Sequence, residues 1–183
     1  MKRIYFVRHG QSLWNVADRI CGATDIPLTE QGHLQAEETG RAILAGGIHA
    51  ELIRCSPLSR AAQTARHISE MTGLPLLEDE RLREQNFGRW EGTSPRRSEA
   101  FSQAKQQFVQ DFEGGESMLR VAQRVYNLLD ELKRDETMEA CILVAHNGIA
   151  RVVNSYFHSM TNAAFADFGV KNCCVLCYEF EEK

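Results

Sequence analysis

Five side chains in the 183-residue sequence form a set that could act on a phosphoryl group. Arg8 and His9 end the apolar run IYFV, Arg60 lies in SPLSRAAQTA, Glu84 in LREQNFGRWEG, and His146 directly follows ILVA. Two guanidiniums offer forked donors that match phosphoryl oxygens and stay charged at any physiological pH. Asn15, the backbone N–H groups around Gly10 and the positive end of a helix opening at Ser56 could add further donors. The chain has no GxxxxGK[ST] loop and no aspartate-rich metal site, so a nucleotide-driven or magnesium-clamped mechanism finds little support and an imidazole is the leading candidate nucleophile. Each residue also has a plain reading. Arg60 could be a solvated charge, Glu84 one more charge in EDERLRE, and His146 a satisfied core histidine.

Their placement argues for the set as a unit. Short apolar runs at 3–7, 51–55, 75–77, 141–145 and 175–180 read as strands, and helical patterns lie between them. One helix begins near Thr29. Another begins at Ser56 as N-cap with Pro57 in the first helical position and Gly73 as its stop. Phe101, Ala104, Phe108 and Phe112 mark a helix between Ser98 and Glu113, Ser117–Arg134 is the clearest amphipathic helix, and a last one follows Asn147. This alternation predicts an α/β fold, a three-layer α/β/α sandwich around a mostly parallel sheet. Arg8 and His9 then follow the first strand, Ser56 and Arg60 the second, Glu84 the third, and His146 and Asn147 the fourth. Sites in open α/β sheets gather at these carboxyl ends.

Bulk properties narrow the classes. The length suits a single domain spanning 1–183. A net charge of −4 argues against a nucleic-acid or membrane-surface footprint. The apolar run after Lys2 and Arg3 stops at Val7, too short for a signal core or membrane span, so the cytoplasm is the expected compartment. In that setting the six cysteines read as free thiols. Cys173, Cys174 and Cys177 lie in what reads as a terminal strand, and no His or Cys pair completes a four-ligand site; no metal is expected.

The segments VRHGQSLWN, PLTEQG, SPLSRAAQTA, LREQNFGRWEG, GGES and LVAHNGIAR, in this order, resemble the blocks of the histidine phosphatase superfamily, the branch that holds phosphoglycerate mutases and small acid-type phosphatases. The resemblance implies a phosphoglycerate mutase-like fold, with a small insertion around 93–116 over the site. It implies a covalent phosphohistidine at His9, whose other ring nitrogen is held by a backbone carbonyl. Arg8, Arg60 and His146 would hold the phosphoryl oxygens and Glu84 would be the general acid and base. Asn15 matches a phosphate-contacting position, and Cys21 and Gly22 match a substrate-side loop that donates backbone contacts. Asn147, where glycine is common, could donate to phosphate or cap the next helix. Gln11 stands where glutamate is common, consistent with altered proton or phosphate contacts.

The expected activity is metal-independent hydrolysis of a small phosphomonoester, with no cofactor. Phosphoglycerate mutase-type phosphoryl transfer is the alternative, and a noncatalytic phosphate-ligand-binding scaffold the remote one. The stretch from Thr93 to Glu113 leaves little room for the extra segment of the mutases, which favours hydrolysis. Arg89, Arg96, Arg97 and Lys105 either recognise an anionic substrate tail or form a solvated face. A monomer and a homodimer fit the sequence equally.

Overall fold

The computed structural model describes residues 2–96 and 98–181. In chain order the elements are β1 (Arg3–Arg8), α1 (Leu13–Val16), α2 (Glu30–Ala45), β2 (Leu52–Cys55), α3 (Ser59–Thr72), β3 (Leu76–Glu78), α4 (Glu99–Ala104), α5 (Met118–Arg134), β4 (Ala140–Ala145), α6 (Asn147–Phe157), α7 (Asn162–Asp167) and β5 (Val175–Glu179). Single 3-10 turns occupy Glu80–Leu82 and Gly88–Trp90. The five strands form one sheet in the order β3-β2-β4-β1-β5, with β5 antiparallel to β1 and the other pairings parallel.

Burial follows from that order. β4 lies in the middle of the sheet and all six of its residues are buried, which explains why ACILVA is apolar throughout instead of alternating. Its two faces feed different cores. Cys141, Leu143 and Ala145 pack with Val121, Val125, Leu128 and Leu132 of α5 and with Ile149 and Val152 of α6. Ala140, Ile142 and Val144 pack with Ile43 of α2 and with Ala62, Ala65 and Ile68 of α3. The sheet is thus covered on both faces, as the sequence predicts. Each fully buried Ile, Leu or Val contributes roughly 1.5–3 kcal/mol.

Two helices differ from the sequence reading. The second helix begins at Ser59 with Leu58 as N-cap, three residues after Ser56. Its first amide, Ser59 N–H, donates to Asp25 Oδ1 at 2.7 Å, and the Ser56 hydroxyl accepts from Leu58 N–H at 3.3 Å. The expected positive end is therefore answered by Asp25. The helix expected up to Glu113 stops at Ala104. Its phenylalanines go to different places: Phe101 and Phe112 meet Phe87 edge-on at 5.1 and 5.2 Å, while Phe108 packs against Phe165 of α7 at 5.3 Å. A straight helix could not serve both clusters, and packing prevails over periodicity.

The last strand opens at Val175, as the apolar run at 175–180 predicts, which leaves Cys173 and Cys174 of the cysteine cluster outside it. Cys173 has the positive φ of a turn, 58°.

Candidate active site

The sheet sets where the site can form. Chain leaving β1 turns toward the α2 and α3 layer, whereas chain leaving the adjacent β4 enters α6 on the opposite face. Neighbouring strands that feed opposite layers leave a crevice beyond their carboxyl ends. His9 and His146 meet there. His9 N–H donates to Ala145 O at 2.9 Å, and the two imidazole centroids are 5.1 Å apart at 59°.

His9 is held in one tautomer. Its Nδ1 lies 2.7 Å from Gly10 O, so Nδ1 carries the hydrogen and Nε2 is the ring nitrogen that keeps its lone pair. Burial, with the charges of Arg60 and Arg8, pushes its pKa well below the ordinary 6.5. The ring is therefore neutral at physiological pH. His146 is pushed down in the same way by burial, Arg60, His9 and Arg8. Its Nε2 lies 2.7 Å from Ser56 Oγ.

The supports of the site explain the short motifs. Thr64 Oγ1 accepts from Gly10 N–H at 3.0 Å, and Gln35 Oε1 from Gln11 N–H at 2.9 Å. The amides around Gly10 expected to serve as phosphate donors are thus already engaged. Gln11 Oε1 accepts from the Thr29 hydroxyl at 2.9 Å, tying the first loop to the start of α2 instead of reaching the phosphate site. A Cβ on Gly10 would fall 2.4 Å from Gly32 O, so the close approach of RHG and PLTEQG requires glycine.

Arg60 is completely buried. It donates through Nη1 to Thr24 O at 2.9 Å and through Nη2 to Gly22 O at 2.7 Å. Gly22 thus accepts from Arg60 through its carbonyl, which fixes the loop expected to offer backbone contacts to the substrate. A Cβ on Gly22 would lie 2.3 Å from Gln85 O, and the loop is clasped by Glu91, which accepts from Ala23 N–H at 2.8 Å and Thr24 N–H at 2.7 Å. Cys21 lies on the cavity wall. Burial pushes its pKa up to about 11, so it stays a thiol and does not rival the imidazole as nucleophile.

Glu84 is buried, with Oε1 accepting from Gln85 N–H at 3.0 Å and Oε2 from Gly148 N–H at 2.9 Å. A Cβ at Gly148 would come within 2.3 Å of Glu84 Oε1, so α6 needs glycine there to admit the carboxyl. Arg124 of α5 fixes the acid-bearing segment from behind. It donates to Arg81 O at 2.6 Å and Arg83 O at 2.7 Å, and pairs with Glu116 of GGES at 3.0 Å.

A cavity of about 540 Å³ opens above these groups. Arg8, His9, Asn15, Cys21, Glu84 and Asn147 line it, whereas Arg60, His146 and Gly22 are buried and are not among its lining residues. Asn15 Oδ1 accepts from Ser12 N–H at 3.1 Å and from Asn172 Nδ2 at 3.2 Å, which turns the amide nitrogen into its spare donor. Asn147 is the first residue of α6; the cap is His146, and Asn147 Oδ1 accepts from Val170 N–H at 2.9 Å. Arg96 and Lys105 reach the wall, Arg89 pairs with Glu113 at 2.9 Å away from it, and Arg97 lies outside the described residues.

Some residues escaped the sequence reading. Ser56 reads as a helix cap, yet its hydroxyl holds His146. Asn172, which donates to His9 O at 2.8 Å, carries no local signal at all. Arg151 of α6 is visible only as position i+4 from Asn147, which puts it on the cavity side of the helix.

Ser56→Ala should leave a buried imidazole nitrogen without its partner and cost about 1–3 kcal/mol. At roughly 2–4 °C per kcal/mol for a chain of this size, thermal denaturation should show a clear drop in Tm. An unchanged Tm would remove Ser56 from its supporting role.

Comparison with known proteins agrees with this construction. The family model of the histidine phosphatase superfamily (branch 1) matches residues 4–183. A curated relative, "Probable phosphoglycerate mutase GpmB" of Yersinia pestis (strain Pestoides F), is 32% identical over 188 residues, covering 100% of this chain and 86% of the relative. The structure of mycobacterial glucosyl-3-phosphoglycerate phosphatase in complex with VO3 superposes with a TM-score of 0.85 at 30% identity, over 97% of this chain and 92% of that one. The alpha-ribazole phosphatase from Shigella flexneri shares the fold, with a TM-score of 0.82 at 24% identity over 98% of this chain and 91% of that one. A five-stranded α/β sandwich with RHG at the end of β1 and a match along nearly its whole length makes this chain a member of the histidine phosphatase superfamily, branch 1.

Proposed function

We propose that the protein is a metal-independent phosphomonoesterase that hydrolyses a small phosphorylated metabolite through a phosphohistidine at His9. The observation that carries this reading is a group of unfilled polar atoms around a neutral imidazole. Arg8 Nε, Arg60 Nε and His146 Nδ1 are buried and have no hydrogen-bond partner among the described residues. Buried polar atoms are ordinarily paired, and three unpaired ones gathered around one imidazole are accounted for by a ligand that completes them. Two of these belong to cations, so the fitting ligand is an anion.

The chemistry follows from the positions. The lone pair on His9 Nε2 attacks phosphorus, and the bond from phosphorus to the ester oxygen breaks on the opposite side. Arg8, whose burial lowers its pKa only to about 10, remains charged and stabilises the phosphoryl oxygens together with Arg60 and His146. Glu84 on the same cavity wall gives the leaving oxygen its proton. It then takes a proton from water as that water attacks the phosphohistidine, the P–N bond breaks with its electrons returning to Nε2, and inorganic phosphate departs. No step requires a metal: the positive charge comes from the guanidiniums of Arg8 and Arg60, and the uncharged His146 supplies a hydrogen bond.

The mutase reading is favoured by the name of the Yersinia relative; the phosphatase reading is favoured by the mycobacterial structure and by the short segment between the Glu84 block and GGES. One assay separates them. With EDTA present, the protein should release inorganic phosphate from p-nitrophenyl phosphate and from members of a phosphorylated-metabolite panel. Interconversion of 2- and 3-phosphoglycerate without phosphate release would favour the mutase, and loss of all turnover on metal removal would overturn the mechanism.

A further inference from the structure

Arg151 is a buried cation that the hydrolytic steps do not use. It is 5% exposed, lines the cavity from α6, and makes no hydrogen bond or ion pair among the described residues; its Nε and Nη1 are buried and unpartnered. A buried charge without a partner is costly, and the usual escape, replacement by an apolar residue of similar volume, is often neutral or stabilising. Glu84 on the same cavity has both oxygens engaged by backbone amides, and Asp167 exerts a favourable charge interaction without forming an ion pair.

Its place is set by α6. Arg151 lies three residues along α6 from Gly148, whose N–H donates to Glu84 Oε2 at 2.9 Å, and both residues line the cavity. Arg151 therefore belongs to the Glu84 side of the cavity, where the departing alcohol must sit if Glu84 protonates its oxygen. Lys105, Lys171 and Arg96 also line this cavity. A neutral alcohol would leave this guanidinium unsatisfied in the complex as well.

We infer that Arg151 is a specificity-determining residue that binds a second anionic group, carboxylate or phosphate, carried on the alcohol part of the phosphomonoester. This rests on the phosphatase reading for its kinetics but not for its binding, and the test is arranged accordingly.

The comparison is between substrates that differ only in the second anion: 3-phosphoglycerate against glycerol 3-phosphate for a carboxylate, and fructose 1,6-bisphosphate against fructose 6-phosphate for a phosphate. Wild-type protein should favour the anionic member of at least one pair in kcat/KM by about 100-fold, and Arg151→Met should bring that ratio to within a few-fold of one. The pair that shows the effect identifies the anion. In parallel, calorimetric titration of His9→Ala protein with the same four compounds should show the same preference, lost in the His9→Ala, Arg151→Met double variant. Binding preference without turnover would leave the inference standing and overturn the phosphatase reading. Equal affinity for the members with and without the second anion in the His9→Ala protein would overturn the inference. So would an equal loss on both members in Arg151→Met accompanied by a lowered Tm, the signature of a structural role; the expected Tm is unchanged or higher.

Discussion

His9→Ala protein should be inert, with kcat reduced about 10,000-fold or more toward every phosphomonoester, because removal of a covalent nucleophile leaves only binding and electrostatic stabilisation. Its fold should survive: the ring sits at the end of β1, and Phe6, Val7 and the backbone bond to Ala145 persist without it. Wild-type protein quenched during turnover should carry acid-labile, base-stable phosphate, and the variant none. Retained labelling or turnover would move the nucleophile elsewhere.

The same residue sets a pH expectation. A histidine with its ordinary value of 6.5 would be increasingly protonated, and so unable to attack, as the pH falls through that value. Burial and two nearby guanidiniums hold His9 well below it, so protonation is deferred to more acidic solution. After allowance for the substrate's own ionisation, kcat/KM should therefore hold steady through pH 6.5 and fail only below it. An acidic limb at or above 6.5 would mean that the reacting group is not this imidazole.

Glu84→Gln should produce the second large loss, and one that depends on the leaving group. The amide can still accept a backbone hydrogen bond but cannot transfer a proton at a useful rate. General acid catalysis contributes about 100- to 10,000-fold, and most where the departing oxygen is strongly basic. Hydrolysis of alkyl phosphates should fall by the larger factor, while p-nitrophenolate, a good leaving group, should depart with a far smaller penalty in single-turnover measurements of the first step. Equal losses for both esters would assign Glu84 a role in holding the site together rather than in proton transfer. Its two backbone hydrogen bonds and its contact with Gly148 make that a real alternative, which the comparison decides.

Much of this was legible before any fold was known. Apolar runs of four to six residues ended by Arg8-His9 and His146 place the two central strands and their carboxyl ends, because a strand buried on both faces must be apolar throughout and the first polar residues must fall where burial stops. By contrast β2, before Ser56, carries Arg54 and alternates in burial. Ser117–Arg134 is legible for a similar reason: a single helix face buried against one core imposes one period. The helix expected over 98–113 failed because its apolar residues answer to two clusters, one around Phe87 and one around Phe165, and a local period cannot reveal two destinations.

By itself the sequence determined the sandwich, the strand ends and the chemical types gathered there: two guanidiniums, two imidazoles and one carboxyl, all properties of local pattern and residue identity. Only the tertiary structure decided which donors are free. The amides near Gly10 are taken by Thr64 and Gln35, the start of α3 by Asp25, and Gln11 by Thr29, while Ser56 serves His146 and Arg151 is left with no partner among the described residues. A hydrogen bond forms between groups brought within about 3 Å of each other, and for residues dozens of positions apart that distance is set by the packing of the layers and not by the chain between them.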